Sequence, residues 1–103
     1  MTINKIYLSE EIENDQVDYA HLKTDVIVHL DDGSKYRANF ISITRLINEM
    51  QEYHQIAESF AKKYFWSNSM VIVNEIEKKD LYPMINYMIE EGDFQMIFEK
   101  LTH

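Results

Sequence analysis

The chain has 103 residues, of which 18 are Asp or Glu and 10 are Lys or Arg, with no cysteine, two glycines and one proline. This length is typical of one domain, so we expect residues 1–103 to form a single domain. The absence of cysteine excludes disulfide bonds, thiolate metal ligands and a cysteine nucleophile. The net charge of −8 argues against binding to nucleic-acid phosphates, which depends on Lys and Arg.

The chain carries no pattern of a targeting or membrane-spanning segment. No apolar stretch approaches the length of a membrane span, and the first residues lack the features of a secretory signal. The hydrophobic fraction of 46% is too high for a disordered chain. The sequence therefore predicts a folded cytoplasmic protein that does not enter a membrane.

The negative charge is concentrated towards the two ends of the chain. The net charge is −6 in residues 1–34, +2 in residues 35–66 and −4 in residues 67–103. The densest part, called here the acidic segment, is residues 10–18, with the carboxylates Glu10, Glu11, Glu13, Asp15 and Asp18. We expect residues 9–23 to form an acidic loop or a short helix capped by Ser9, because carboxylates stabilise a helix N-terminus.

Three strands are predicted in the first half of the chain. The short β-prone run at residues 3–8 is expected at an edge of a sheet. Residues 24–30 alternate, so that Val26, Val28 and Leu30 share one face. The Asp-Asp-Gly-Ser sequence at 31–34 predicts a tight hairpin in which Asp and Gly supply positive φ angles. A second alternating strand then covers residues 35–43.

The middle of the chain predicts a helix followed by a strand. Apolar residues recur at intervals of three and four up to Tyr64, which predicts a helix that begins near Arg45 and is capped by Ser42 or Thr44. The unbroken apolar start of residues 70–76 predicts a central strand that is covered on both faces.

The last part of the chain predicts two helices. Residues 81–90 have a helical apolar stripe, with Pro83 in the first turn, where its missing N–H costs nothing. Residues 94–101 predict a short final helix, and a strand over 94–98 is the alternative.

The resulting order, β-β-β-α-β-α-α, is typical of an α+β fold. We expect an antiparallel sheet of three to four strands with two to three helices packed on one face. The opposite face would carry Ile27, His29, Lys35 and Arg37. Such a mixed surface is either solvated or used for contact.

The chain contains no motif for catalysis or for cofactor binding. It has no Gly-x-Ser-x-Gly sequence, and two glycines are too few for a phosphate-binding loop. His29 and Asp31 could point the same way from a strand, but no histidine in the chain has a known metal-ligand spacing. We therefore predict a protein that is not an enzyme, with no catalytic residue, no metal site and no cofactor.

Three successive aromatic residues, Tyr64, Phe65 and Trp66, form the most unusual local feature. Consecutive residues at a helix end cannot all face one core. They pack into the sheet where the chain turns, or Phe65 and Trp66 anchor a protein interface, where Trp and Tyr are enriched.

Three segments, residues 25–40, 63–73 and 90–98, together resemble a group of small uncharacterised bacterial proteins. The shared features are a strand, an Asp-Gly turn and a second strand, then the Tyr-Phe-Trp segment, then an acidic residue followed by Gly-x-Phe. The resemblance covers residues 24–101 and implies a bacterial or mobile-element source. It implies no activity.

The acidic, compact chain favours a non-enzymatic protein-binding or inhibitory module, such as an immunity-type protein. In this hypothesis the acidic segment steers a basic partner by long-range attraction, and Phe65 and Trp66 anchor it. One alternative is a homo-oligomeric structural protein, for example a homodimer paired through residues 3–8 or the exposed sheet face, or a binder of a small ligand. Another is a mimic of nucleic-acid charge.

Overall fold

The computed structural model describes residues 1–13, 17–56 and 68–101. In the described residues the chain forms an α+β fold with one sheet, which confirms the predicted fold class. The strands are β1 (Ile3–Leu8), β2 (Lys23–Leu30), β3 (Lys35–Ser42), β4 (Met70–Val73) and β5 (Glu99–Lys100). The helices are α1 (Ser9–Glu13), α2 (Ile43–Ile56), α3 (Lys78–Glu90) and α4 (Phe94–Ile97), with a turn of 3₁₀ helix at Tyr19–His21.

The sheet has the order β1-β2-β3-β4. Its first three strands are antiparallel, as predicted, whereas β4 runs parallel to β3. The parallel pairing follows from the long connection through α2, because only a crossover can return the chain in the same direction. The sequence pattern does not predict β5, which pairs antiparallel with Tyr36 and Arg37, the part of β3 that β4 leaves uncovered.

The hairpin between β2 and β3 forms where it was predicted, but with a different turn. Leu30 N–H donates to the Ser34 carbonyl at 2.9 Å, and Gly33 N–H donates to the Leu30 carbonyl at 3.0 Å. Gly33 has φ +88°, whereas Asp32 does not adopt a positive φ. The connection is therefore a turn followed by a glycine bulge, which needs only one left-handed residue, and glycine fills that position without steric cost.

One face of the sheet carries the hydrophobic core. Val26, Val28, Ala38 and Phe40 are fully buried there, as their alternation predicted. The helical side of this core contains Leu81 and Ile85 of α3 together with Phe94 and Phe98. Each such side chain stabilises the fold by roughly 1.5–3 kcal/mol through burial.

Two predicted elements differ from the structure, β4 in its position in the sheet and α3 in its first residue. β4 lies at an edge of the described sheet and not at its centre, and Ile72 is half-exposed. α3 begins one turn earlier than predicted, because Glu77 N–H donates to the Asp80 side chain at 2.8 Å and closes the N-terminus there. Pro83 consequently lies in the second turn of α3.

The last predicted element is divided in the structure. The helix is present but ends at Ile97, and β5 follows. Leu101 N–H donates to the Lys35 carbonyl at 2.8 Å, so the chain continues alongside β3.

Ser42, one of the two predicted caps of the central helix, caps α2: its Oγ accepts the Arg45 N–H at 3.1 Å.

Candidate protein-binding surface

A groove lies between β1 and α3, and we call it the β1–α3 groove. Ile3 and Ile6 line it from the strand, and Leu81 and Tyr82 line it from the helix. Its volume is about 240 Å³. Leu81 belongs to the core, whereas Tyr82 lines the groove and is 54% exposed. The groove therefore offers apolar contacts next to a strand at the edge of the sheet.

The strand that borders this groove has one unpaired side among the described residues. β1 pairs with β2 alone, which confirms its predicted position at an edge. Backbone groups alternate in direction along an antiparallel pair. Leu30 donates its N–H across the hairpin to Ser34, so Leu30 and Val28, two residues before it, both direct their backbone groups towards β3. Ile6 lies opposite Val28 and therefore directs its N–H and C=O away from β2.

The edge of β1 also carries features that limit unwanted pairing. The register shifts between Ile3 and Lys5, which marks a β-bulge at Asn4. Lys5 is exposed, with its Nζ 5.4 Å from the centre of the Tyr7 ring. Bulges and lysines on edge strands are typical protection against edge-to-edge aggregation. A partner that pairs here is consequently restricted to the short stretch after the bulge.

The acidic segment is connected to the β1–α3 groove by one ion pair. Lys78 Nζ of α3 lies 2.7 Å from Glu11 Oε2 of α1, and both residues line the groove. The hydrogen bond to Glu11 raises the pKa of Lys78. Among the described side chains of the acidic segment, Glu11 is thus the carboxylate that lines the groove, and its charge is paired with that of Lys78.

The other carboxylates of the acidic segment have different surroundings. Glu10 is half-buried: its N–H donates to Thr24 Oγ1 at 3.1 Å, and its Oε2 is buried without a hydrogen bond. Asp18 accepts the N–H of Ala20 at 3.0 Å and pairs with His21, whose side chain lowers the pKa of the Asp18 carboxyl. The Glu13 side chain and Asp15 lie outside the described residues.

A second cavity, of about 350 Å³, lies at the carboxyl ends of β3 and β4, beside the start of α2. Tyr19, Ser42 and Glu75 are among its lining residues. The Tyr19 hydroxyl is buried without a hydrogen bond, and burial raises its pKa. Glu75 has φ +51°, which is uncommon for a residue other than glycine. The positive φ of Glu75 indicates local backbone strain. The described lining residues of this cavity do not converge on a ligand.

The sheet face opposite the core is mixed and half-exposed, as predicted for Ile27, His29, Lys35 and Arg37. His29 Nε2 and the Tyr7 hydroxyl share a hydrogen bond of 3.1 Å. Burial, with help from Lys35 and Lys5, lowers the pKa of His29. Arg37 lies 3.5 Å from both Asp25 and Glu99, so its charge is paired with two carboxylates.

The two predicted interface anchors, Phe65 and Trp66, lie outside the described residues. Among the residues that the structure does describe, Tyr82 of α3 is the exposed aromatic side chain that faces a groove. Sequence reasoning missed it. The available signal was its position, since Tyr82 falls outside the apolar stripe of its helix and a large aromatic residue there has no core to enter.

Within residues 1–13, 17–56 and 68–101, no group of three or more metal-ligating side chains converges. In that part of the chain, no helix combines the length and the apolar character needed to cross a membrane. Comparison of the sequence and the structure with protein-family models, curated proteins and solved structures finds no significant match.

Proposed function

We propose that this protein is a non-enzymatic binding module that recognises a basic protein partner through the acidic segment and the β1–α3 groove. The observation that carries the proposal is the contact between Glu11 and Lys78 at 2.7 Å. It places Glu11, one of the five carboxylates of residues 10–18, at an apolar groove beside a strand edge that is unpaired among the described residues. Attraction at long range and apolar contact at short range thus occur side by side.

The negative charge of the protein favours a basic partner. Residues 10–18 contain five carboxylates and no Lys or Arg, and the whole chain carries a charge of −8. Such a surface attracts a positively charged protein over a distance of about a Debye length and raises the rate of encounter. A small acidic protein that covers a basic surface acts as an inhibitor, for example as an immunity-type protein in the cytoplasm of a bacterium. The absence of cysteine suits a reducing compartment.

Affinity capture from a native lysate at low salt tests this proposal, followed by kinetics with the captured partner. We expect a basic partner whose association with the Glu13→Gln/Asp15→Asn double variant is slowed about threefold or more at low salt. The matched control is Glu91→Gln/Asp93→Asn, which removes the same charge from exposed positions after α3. A neutral or acidic partner, or an association rate that salt leaves unchanged, would contradict the proposal.

The unpaired edge of β1 also supports the homo-oligomeric alternative, in which two copies pair through residues 3–8. The charge of −8 on each copy opposes this association. Light scattering across a range of protein and salt concentrations distinguishes the two functions. A dimer that persists at micromolar concentration and low salt would favour the homodimer, whereas a monomer favours the proposed heterologous partner.

A further inference from the structure

We propose that Lys5, His29 and Lys35, on the sheet face opposite the core, form a binding site for the phosphate group of a small phosphorylated molecule. The site goes beyond the proposed function and contains no residue of the acidic segment. Three observations support it: the alignment of the three side chains, the unpaired charge of the two lysines, and the contacts that hold the His29 ring.

The register of the strands aligns these side chains in one row. Lys5 of β1 lies opposite His29 of β2, and His29 lies opposite Lys35 of β3. Residues that are directly opposite in an antiparallel sheet project from the same face, and neighbouring strands are about 5 Å apart. The two lysines therefore flank the His29 ring. Their flexible four-carbon stems allow both ammonium groups to contact one anion above that ring.

The two lysines of the row are unpaired in the part of the chain that the structure describes. There, neither Lys5 nor Lys35 lies within ion-pair distance of a carboxylate, whereas Lys78 and Lys79 of α3 each pair with a glutamate. Like charges aligned across a sheet oppose each other. In a chain with 18 acidic and 10 basic residues, this row is thus a local positive charge that an anion would neutralise.

Contacts with Tyr7 hold the His29 ring in place. The Tyr7 hydroxyl lies 3.1 Å from His29 Nε2, and the two rings meet edge to face with their centres 5.0 Å apart. Burial, followed by the charges of Lys35 and Lys5, lowers the pKa of His29, so the ring is mainly neutral at pH 7. His29 Nδ1 has no hydrogen-bond partner among the described residues. It donates to an oxyanion in the tautomer whose Nε2 accepts the Tyr7 hydroxyl proton.

Charge and donor number favour a phosphate monoester over a carboxylate. The two ammonium groups of the row match a phosphate monoester, whose charge is about −1.5 to −2 at pH 7. Its three terminal oxygens accept from the three side chains of the row together, whereas a carboxylate has two oxygens. Arg37, the next basic residue on this face, is already paired with two carboxylates. The free positive charge thus suits one phosphate group and not the repeated phosphates of a nucleic acid.

Titration of the full chain with methyl phosphate, followed by NMR, tests this proposal. Methyl sulfate is the matched control ligand, because it has the same tetrahedral shape and a single negative charge. We expect methyl phosphate to bind with a Kd in the millimolar range, about tenfold more tightly than methyl sulfate. The ring signals of His29 should shift, and its pKa should rise when methyl phosphate is bound, because a nearby anion favours the charged ring.

A pair of lysine substitutions locates the bound phosphate. Lys35→Met removes one of the two ammonium groups and should weaken the binding of methyl phosphate about fivefold. Lys100→Met is the matched control: Lys100 lies opposite Tyr36, whose side chain belongs to the core, so it does not join the row. This control should change the Kd less than about twofold, because a charge on the other face is screened by solvent.

Three results would overturn the proposal: equal binding of the two ligands, equal effects of the two lysine substitutions, or His29 signals that methyl phosphate leaves unchanged. Lys35 is not among the residues that line the β1–α3 groove, and it lies outside the acidic segment. Each of these results would therefore leave the proposed function standing. Conversely, failure to capture a basic partner would leave the phosphate site unaffected.

Discussion

The two edges of the sheet are completed in different ways. On one side, the outer edge of β3 is shared by two short strands, β4 over Asn39–Ser42 and β5 over Tyr36–Arg37. On the other side, β1 is six residues long and has no strand beyond it in the described part of the chain. Short edge strands resist further pairing, whereas a longer edge is available to a partner unless it is protected.

The two edges also differ in how tightly their side chains are packed. The β5 side is held by packed aromatic rings: the centre of the Phe94 ring lies 4.9 Å from that of Tyr36, edge to face, and 4.6 Å from that of Phe98, on which it stacks. The β1 side ends in a groove that is lined in part by the exposed side chain of Tyr82. The first edge is part of the core, and the second is the surface on which the proposed function depends.

Removal of the aromatic support of β5 should have the largest effect on stability. Phe94→Ala leaves a cavity beneath β5, and we expect the free energy of unfolding to fall by about 3–5 kcal/mol. Urea denaturation followed by circular dichroism measures this change. Met96→Ala on the same helix is the control, because Met96 is 84% exposed; its effect should stay within about 0.5 kcal/mol. Similar losses for both variants would show that Phe94 does not support this edge.

Along β1, hydrogen exchange should be much faster at amides that point to the free edge than at amides that point towards β2. The Ile6 amide points away from β2, whereas the Tyr7 amide points towards its partner Ile27. We expect Tyr7 to exchange about 100-fold or more slowly than Ile6, as measured by NMR on the free protein. Comparable protection of the two amides would mean that another part of the chain covers the β1 edge.

The ion pair at the rim of the groove should contribute little to stability. Glu11→Gln removes the charge that faces Lys78 at 2.7 Å, and we expect a loss of at most about 1 kcal/mol, because the Lys78 side chain is solvated. Thermal unfolding in low and high salt provides the measurement, and the difference between parent and variant should shrink as salt screens the pair. A larger loss that is insensitive to salt would indicate a packing role for Glu11.

The smallest effect concerns His29, which lies between Lys5 and Lys35 across the strands nearest the free edge. Burial and these two lysines lower the pKa of His29 below its ordinary value near 6.5. Since the folded state favours the neutral ring, the stability from this group is present above pH 6.5 and declines as the pH falls through the lowered pKa. An NMR titration should show the pKa rising towards 6.5 in Lys35→Met, and a further decrease in that variant would refute the electrostatic cause.

Much of the sheet could be predicted from local pattern. Alternation identified Val26 and Val28 as core residues, and Gly33 marked the hairpin, because a turn of a few residues depends only on its own backbone. The interface residues were harder to predict. Phe65 and Trp66 remain predictions outside the described residues, and Tyr82 could not be recognised as part of a groove without knowing that α3 lies beside β1.

Three features follow from local sequence alone: the two-sided strands, the glycine of the hairpin and the density of carboxylates in residues 10–18. Each depends on neighbours within a few positions. Three further features depend on long-range contacts: β4 runs parallel to β3, β5 completes the edge of β3, and Glu11 pairs with Lys78. Those contacts join residues far apart in the chain, 67 positions for the ion pair. The packing of the shared core brings these distant segments together, and no local pattern specifies which of them lie side by side.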